Sequence, residues 1–193
     1  NTTGLRNTAT GNYGLVSNDS GGDNAAYGYQ ALTNNTRGSQ NVAMGPNTLL
    51  YNKGNNGSTA IGYQAMMNPD TSEFFPEQRT TYNTAIGYES LKGNYPPWNN
   101  TGTDNTATGA HTLKNNSAGS SNVAIGSRAL FTNTTGNTNI AIGRSALYSN
   151  TDKSNLMAIG DSALFYNTTG NMNLAFGASA LKSNVSGSSN LAI

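Results

Sequence analysis

The 193-residue chain has no cysteine, one histidine and one tryptophan. The missing thiols exclude disulfides and thiolate metal ligands. His111 has no neighbouring cysteine or carboxylate cluster at ligand spacing, so it reads as a turn or surface residue and no metal is expected. Charge is scarce too: charged residues make up 10% of the chain, against roughly a quarter in ordinary domains, and the net charge is +1. So weak and balanced a field gives no case for nucleic acid or an anionic membrane surface. There is no run of about 18 apolar residues to span a bilayer and no basic-then-apolar leader, so no membrane insertion is expected of this segment.

Such polarity ordinarily means disorder, but disordered chains carry high net charge and no hydrophobic period. Here the apolar residues return on schedule. Glycine recurs at Gly11, Gly28, Gly45, Gly62, Gly87, Gly109, Gly126, Gly143, Gly160 and Gly177, 17 residues apart except for steps of 25 and 22. Alanine stands two residues before each of these glycines, as in Ala9, Ala141 and Ala175. A fixed short period predicts stacked coils, an all-β repetitive β-solenoid with about 17 residues per coil over residues 1–193. The invariant glycine predicts a sharp turn or a place with no room for a Cβ. The invariant alanine predicts a narrow buried contact.

Around the alanine, Thr8 and Thr10, Val123 and Ile125, Ile140 and Ile142, and Leu174 and Phe176 alternate with it, which predicts a short strand with one tight and one variable face. Six residues after the alanine comes a leucine row, Leu15 to Leu181, with Met66 its exception. That row is the expected core filler, and the segment around it reads as a second short strand or a single helical turn, the strand being favoured. Asn24, Asn41, Asn105, Asn122 and Asn139 predict a ladder of side-chain amides. Leu156 takes the Asn position in one coil, where a bulge in register is expected. Linkers such as Asn115–Gly119 and Asn184–Gly187 have turn chemistry and are expected on the surface. The sequons at Asn133 and Asn167 follow from composition and give weak support to glycosylation.

Two insertions break the period, at about 67–82 and 92–104. They hold Phe74, Phe75, Tyr95 and Trp98, and aromatic rings in solenoid insertions are the candidate ligand-binding residues. The competing reading has these rings covering their own coil. Asp70, Glu73 and Glu77 could pair for glycoside hydrolysis, but nearby acids in a loop are ordinarily just solvated. No catalytic residue and no cofactor is expected, and the chain reads as no enzyme.

The unit Asn83-Thr84-Ala85-Ile86-Gly87, repeated as Asn122-Val123-Ala124-Ile125-Gly126, resembles the head repeats of trimeric autotransporter adhesins of the YadA type. With the trailing Ala-Leu and the Asn-Thr-Thr-Gly linker of 133–136 it also resembles the repeat arrays of bacterial tail-fibre-domain proteins. The resemblance implies a left-handed parallel β-roll, a homotrimer around one axis, and a structural or adhesive role in an extracellular fibre, either a surface adhesin or a virion tail fibre, that contacts a host-surface glycan or protein. The adhesin heads repeat at a shorter period. Because Asn1-Thr2-Thr3-Gly4 matches that linker, the chain reads as a window on a longer fibre. The alternatives are a carbohydrate-binding or carbohydrate-degrading spike with a groove between the insertions, and an ice-binding solenoid. Ala25 and Val42 interrupt the Thr array that the last would need. The trimer is expected to close over the variable strand face or the leucine row.

Overall fold

The computed structural model describes residues 2–69, 79–95 and 99–193. Among them lie thirteen short strands: β1 (Thr8–Thr10), β2 (Ala25–Tyr27), β3 (Val42–Met44), β4 (Asn55–Asn56), β5 (Thr59–Ile61), β6 (Arg79–Thr80), β7 (Thr84–Ile86), β8 (Thr106–Thr108), β9 (Val123–Ile125), β10 (Ile140–Ile142), β11 (Met157–Ile159), β12 (Leu174–Phe176) and β13 (Leu191–Ala192). Eleven form one parallel sheet in the order β1-β2-β3-β5-β7-β8-β9-β10-β11-β12-β13, while β4 pairs with β6 beside it. The protein is therefore a parallel β-solenoid of about ten turns. Register is in phase throughout, with alanine on alanine in pairs such as Ala124 with Ala141 and Ala141 with Ala158.

The alanine column explains itself in packing terms. Ala26 through Ala175 in this column are fully buried, and their flanking residues lie on the opposite, open face of the sheet. The glycine closing each strand is held at positive φ and close to the next coil. At Gly160, φ is +138°, and a Cβ there would sit 2.2 Å from the carbonyl oxygen of Gly177. No L side chain fits either condition.

The leucine segment is neither of the expected elements. From Gly143 the signs of φ alternate: Gly143, Ser145 and Leu147 stand at +130°, +57° and +53°. The Ser145 N–H donates to Ser127 O in the coil on one side, and the Leu147 N–H donates to Ala163 O in the coil on the other. Backbone groups thus bond between coils from a turn, without strand or helix geometry. Leu113, Leu130, Leu147 and Leu164 are fully buried within their own chain. The leucine row is consequently unavailable for contact with a neighbouring chain.

Two amide ladders share the interior with these apolar columns. In the expected one, Asn122 Nδ2 donates to Asn105 Oδ1 at 3.1 Å and to Gly136 O at 2.9 Å. In the second, Asn133 Nδ2 donates to Asn116 Oδ1 at 2.8 Å and to the same Gly136 O at 3.0 Å. The linker asparagines Asn116, Asn133 and Asn167 are thus buried ladder members, contrary to the expected surface position. That burial also removes Asn133 and Asn167 as glycosylation acceptors. At Leu156 no bulge occurs: Met157 keeps register with Ile140 and Leu174, and the Leu156 N–H still donates to Asn139 Oδ1 at 3.0 Å.

Candidate functional site

Phe74, Phe75 and Trp98 lie outside the described residues, as do Asp70, Glu73 and Glu77. Tyr95 is described and is 81% exposed. The described bases of the two insertions are tied together: Asn100 Nδ2 donates to Asn68 O at 2.6 Å and to Asn94 O at 2.8 Å, and the Asn68 N–H donates to Lys92 O at 2.9 Å. Beneath them both ladders stop. Ser58 replaces the asparagine of the first, Pro69 that of the second, and Asn52 Oδ1 and Asn68 Oδ1 are buried without a hydrogen-bond partner. The gap is a cavity of about 20 Å³ whose lining includes Ser58, Asn68, Thr81, Asn83 and Asn116 together with Met66 and Leu91.

A charged cluster sits where the second insertion leaves the coil. Glu89 is largely buried and binds Lys92 Nζ at 2.6 Å and Lys114 Nζ at 2.7 Å, with His111 Nδ1 at 3.2 Å. Lys92 Nζ also donates to Gln64 Oε1 at 2.7 Å. Burial on its own would raise the Glu89 carboxyl, but hydrogen bonds from Lys114 and Lys92, with their charges, more than reverse this and hold it down to about 2. A depressed carboxylate stabilises the fold fully above its unfolded value near 4.5 and loses that contribution as pH falls toward 2. His111, expected in a turn or at the surface, does occupy a turn but is also a member of this cluster. The arrangement staples three consecutive coils. Glu89 and both lysines are engaged in it, whereas His111 Nδ1, 3.2 Å from Glu89 Oε2, makes no hydrogen bond.

Aromatic rings follow one edge of the solenoid. Phe131, Tyr148 and Phe165 stack with centroids 5.2 and 4.9 Å apart and interplanar angles of 0° and 2°. They occupy one repeat position, directly after the core leucine, and turn their faces to each other. This stack is a packing device. A different group lies on the turn after the strand: Tyr29, Tyr63 and Tyr88 each follow the repeat glycine, and Tyr13 follows it by two. The N–H of the next residue in each coil donates to the carbonyl of this position in the preceding coil, as in Asn47 to Tyr29 and Glu89 to Tyr63, both 2.9 Å. The position therefore forms a straight column along the molecule. Tyr29, Tyr63 and Tyr88 are 48%, 40% and 48% exposed. Sequence reading missed this column because insertions and intervening coils separate its members. Its signal was tyrosine directly after the repeat glycine in three of the first five coils.

Among the described residues no group of three or more His, Cys, Asp or Glu side chains could hold a metal ion, and no helix is long and apolar enough to cross a membrane. Compared with family models, curated proteins and solved structures, the chain matches none.

Proposed function

We propose that the chain is a shaft segment of an extracellular trimeric fibre, a surface adhesin or tail fibre whose role is structural and adhesive. The observation that carries this reading is the open face of the eleven-stranded sheet. There the residues beside each buried alanine point outward in two columns, and from β9 to β12 both columns are apolar: Val123 and Ile125, Ile140 and Ile142, Met157 and Ile159, Leu174 and Phe176. A contiguous apolar strip of this kind on a soluble protein marks an interaction surface. Because the strip runs the length of those coils, a partner of the same repeat can follow it coil by coil, and three copies close around one axis without leaving an apolar edge. The left-handed coil implied by the repeat resemblance belongs to the same proposal. The insertions bearing Phe74, Phe75, Tyr95 and Trp98 then supply the contacts for a host-surface glycan or protein.

Light scattering tests the assembly. The expected mass is three times the 20.1 kDa of one chain. Ile125→Asp with Ile142→Asp places two carboxylates on the strip in adjacent coils and should yield a folded monomer. A monodisperse wild-type monomer at micromolar concentration overturns the proposal.

A further inference from the structure

In a regular coil the asparagine of the first ladder offers three N–H groups, and two of them go to the amide oxygen one coil earlier. Asn24 donates to Asn7 Oδ1 from its backbone N–H at 2.9 Å and from Nδ2 at 3.1 Å, and its remaining amide proton goes to Gly38 O at 2.8 Å. Asn105 repeats the pattern on Asn83 Oδ1 and Gly119 O. Asn83 itself follows Ser58, which has no amide. Its Nδ2 reaches Gly102 O at 2.8 Å, but among the described residues no acceptor meets its second amide proton or its backbone N–H. Asn83 is buried, so bulk solvent does not take the missing place. In the regular ladder both of these donors converge on a single oxygen, and a single atom can therefore satisfy both.

The ladder also breaks at residue 156, with a different outcome. There the leucine fills the place of the amide and is fully buried, and Asn173 Nδ2 turns to Asn167 Oδ1 at 3.2 Å. At residue 58 neither happens. Serine is too short to fill the space, and the cavity of about 20 Å³ lies there, with Ser58, Asn68 and Asn83 on its wall. Two acceptors stand on the same wall. Asn68 Oδ1 is buried without a partner. Thr81 donates its hydroxyl proton to Asn56 O at 3.3 Å, which turns the Ser58 O–H toward Thr81 Oγ1 at 2.7 Å and leaves the lone pairs of Ser58 Oγ to accept. This mixture decides the ligand. The N–H groups of Asn83 repel a cation, the amide oxygen of Asn68 repels an anion, and an apolar guest leaves both kinds unmet. Water donates twice and accepts twice, and it needs roughly 10–15 Å³ with two to four polar partners. Met66 and Leu91 would leave a cavity lined only by such side chains dry, but ordering one water costs less than leaving several buried polar groups unmade.

We infer that this cavity binds a single water molecule where the amide of residue 58 would stand, accepting from the backbone N–H and Nδ2 of Asn83 and donating to Ser58 Oγ and Asn68 Oδ1. The water carries the first ladder across its break. It also ties Asn68, at the base of the first insertion, to the interior of the shaft. The inference is independent of the trimer and of the adhesive role.

The test is oxygen-17 magnetic relaxation dispersion on the whole chain, which counts long-lived waters and receives no contribution from hydroxyl exchange. Light scattering on the same samples ensures that particles of equal mass are compared. Wild type should exceed Ser58→Asn by one water, because the new side chain occupies the site with its own amide. It should exceed Ser58→Leu, which copies Leu156, by the same one water, displaced there by hydrocarbon. Equal amplitude in wild type and either folded variant overturns the inference, as does a wild type with no long-lived water. Dispersion of sodium or chloride relaxation that Ser58→Asn abolishes overturns it too, by marking an ion. Should neither variant melt cooperatively, diffraction from wild-type crystals decides. One peak within hydrogen-bond distance of both Asn83 nitrogens and of Asn68 Oδ1 is expected, and featureless density there overturns the inference.

Discussion

Thirty non-glycine residues in the described structure have left-handed φ, including a core leucine or methionine in every full coil. This conformation crowds Cβ against the following carbonyl and costs about 1–2 kcal/mol for an ordinary side chain, more where Cβ is branched. The composition of these positions follows: Leu, Met, Ser, Gln, Asn, Asp and Tyr recur, while Thr138, at φ +56°, is the one β-branched member among the thirty. Valine and isoleucine are common in the strands a few residues away, so their absence from the leucine row is conformational and has nothing to do with hydrophobicity. Leu147→Ile, which conserves volume in a fully buried site, should therefore cost about 2 kcal/mol or more, beyond the usual penalty of under 1.5 kcal/mol for such a swap. Thr138 is exposed, and Asn155 holds the same position one coil later. Thr138→Asn should accordingly stabilise the protein by about 0.5–1 kcal/mol, because asparagine tolerates left-handed φ. Urea denaturation midpoints of the two variants check both signs. Equal stability of Leu147→Ile and wild type would sink the explanation.

At the scale of the coil, a regular turn such as that of Asn139, Ala141, Ala146, Leu147 and Asn150 closes around two alanines, one leucine and two asparagines, an interior in which amides do as much as methyl groups. Asn133 shows the dependence: it donates to Asn116 Oδ1 and Gly136 O and accepts from Asn150 Nδ2 at 3.0 Å. Asn133→Ala strands Asn116 and Asn150 in a dry interior, so a loss of about 2–4 kcal/mol is expected, since each buried group left unmade costs about 1–3 kcal/mol. Thermal or urea unfolding against Asn137→Ala, at an exposed linker position, measures it. The glycine and alanine columns, and with them the solenoid and its strand register, were legible because their period is unbroken within long runs and their steric reason is local. The second ladder was not. Asn-Thr-Thr-Gly has the composition of a surface turn, and only the stacking of coils converts its asparagine into a buried donor and acceptor. The leucine segment was equally opaque, because alternating φ leaves no trace beyond the missing β-branched residues. Glu89 and its partners Gln64, Lys92, His111 and Lys114 are scattered by the two insertions, so their meeting follows from the coil register and not from spacing along the chain.

Across the whole molecule, each strand touches only those beside it, so stability propagates from coil to coil and fails first where a junction is weak. Two junctions lose both ladders. At one, Leu156 has no amide to hand on from Asn139 and Asn150 Oδ1 is buried without a hydrogen-bond partner. The other lies beneath the insertions. The main sheet crosses it intact, Ala60 pairing with Ala85, yet neither amide ladder does. Ser58 ends the first ladder by donating its N–H to Asn41 Oδ1 at 3.0 Å and has no amide to hand on, and Asn52 Oδ1 ends the second unpaired. The ladders thus leave three blocks, the coils before Ser58, those from Asn83 to Asn150 and those after Leu156. Across the junction beneath the insertions the coils are joined by backbone pairing, by the hydroxyl contact of Ser58 with Thr81 at 2.7 Å, and by Lys92 Nζ to Gln64 Oε1 at 2.7 Å and Asn100 Nδ2 to Asn68 O at 2.6 Å. The first block has fewer coils than the middle one and should open before it. Native-state hydrogen exchange in rising urea should give the amides of Val42 and Gly45 a lower opening free energy than those of Val123 and Gly143, with two separate isotherms. Ser58→Asn projects an amide into the adjoining cavity of about 20 Å³, where it can continue the first ladder toward Asn83. It should draw the two isotherms together by raising the lower one. If wild type already exchanges along a single isotherm, the interrupted ladders do not divide the molecule, and the sheet alone carries cooperativity across the junction.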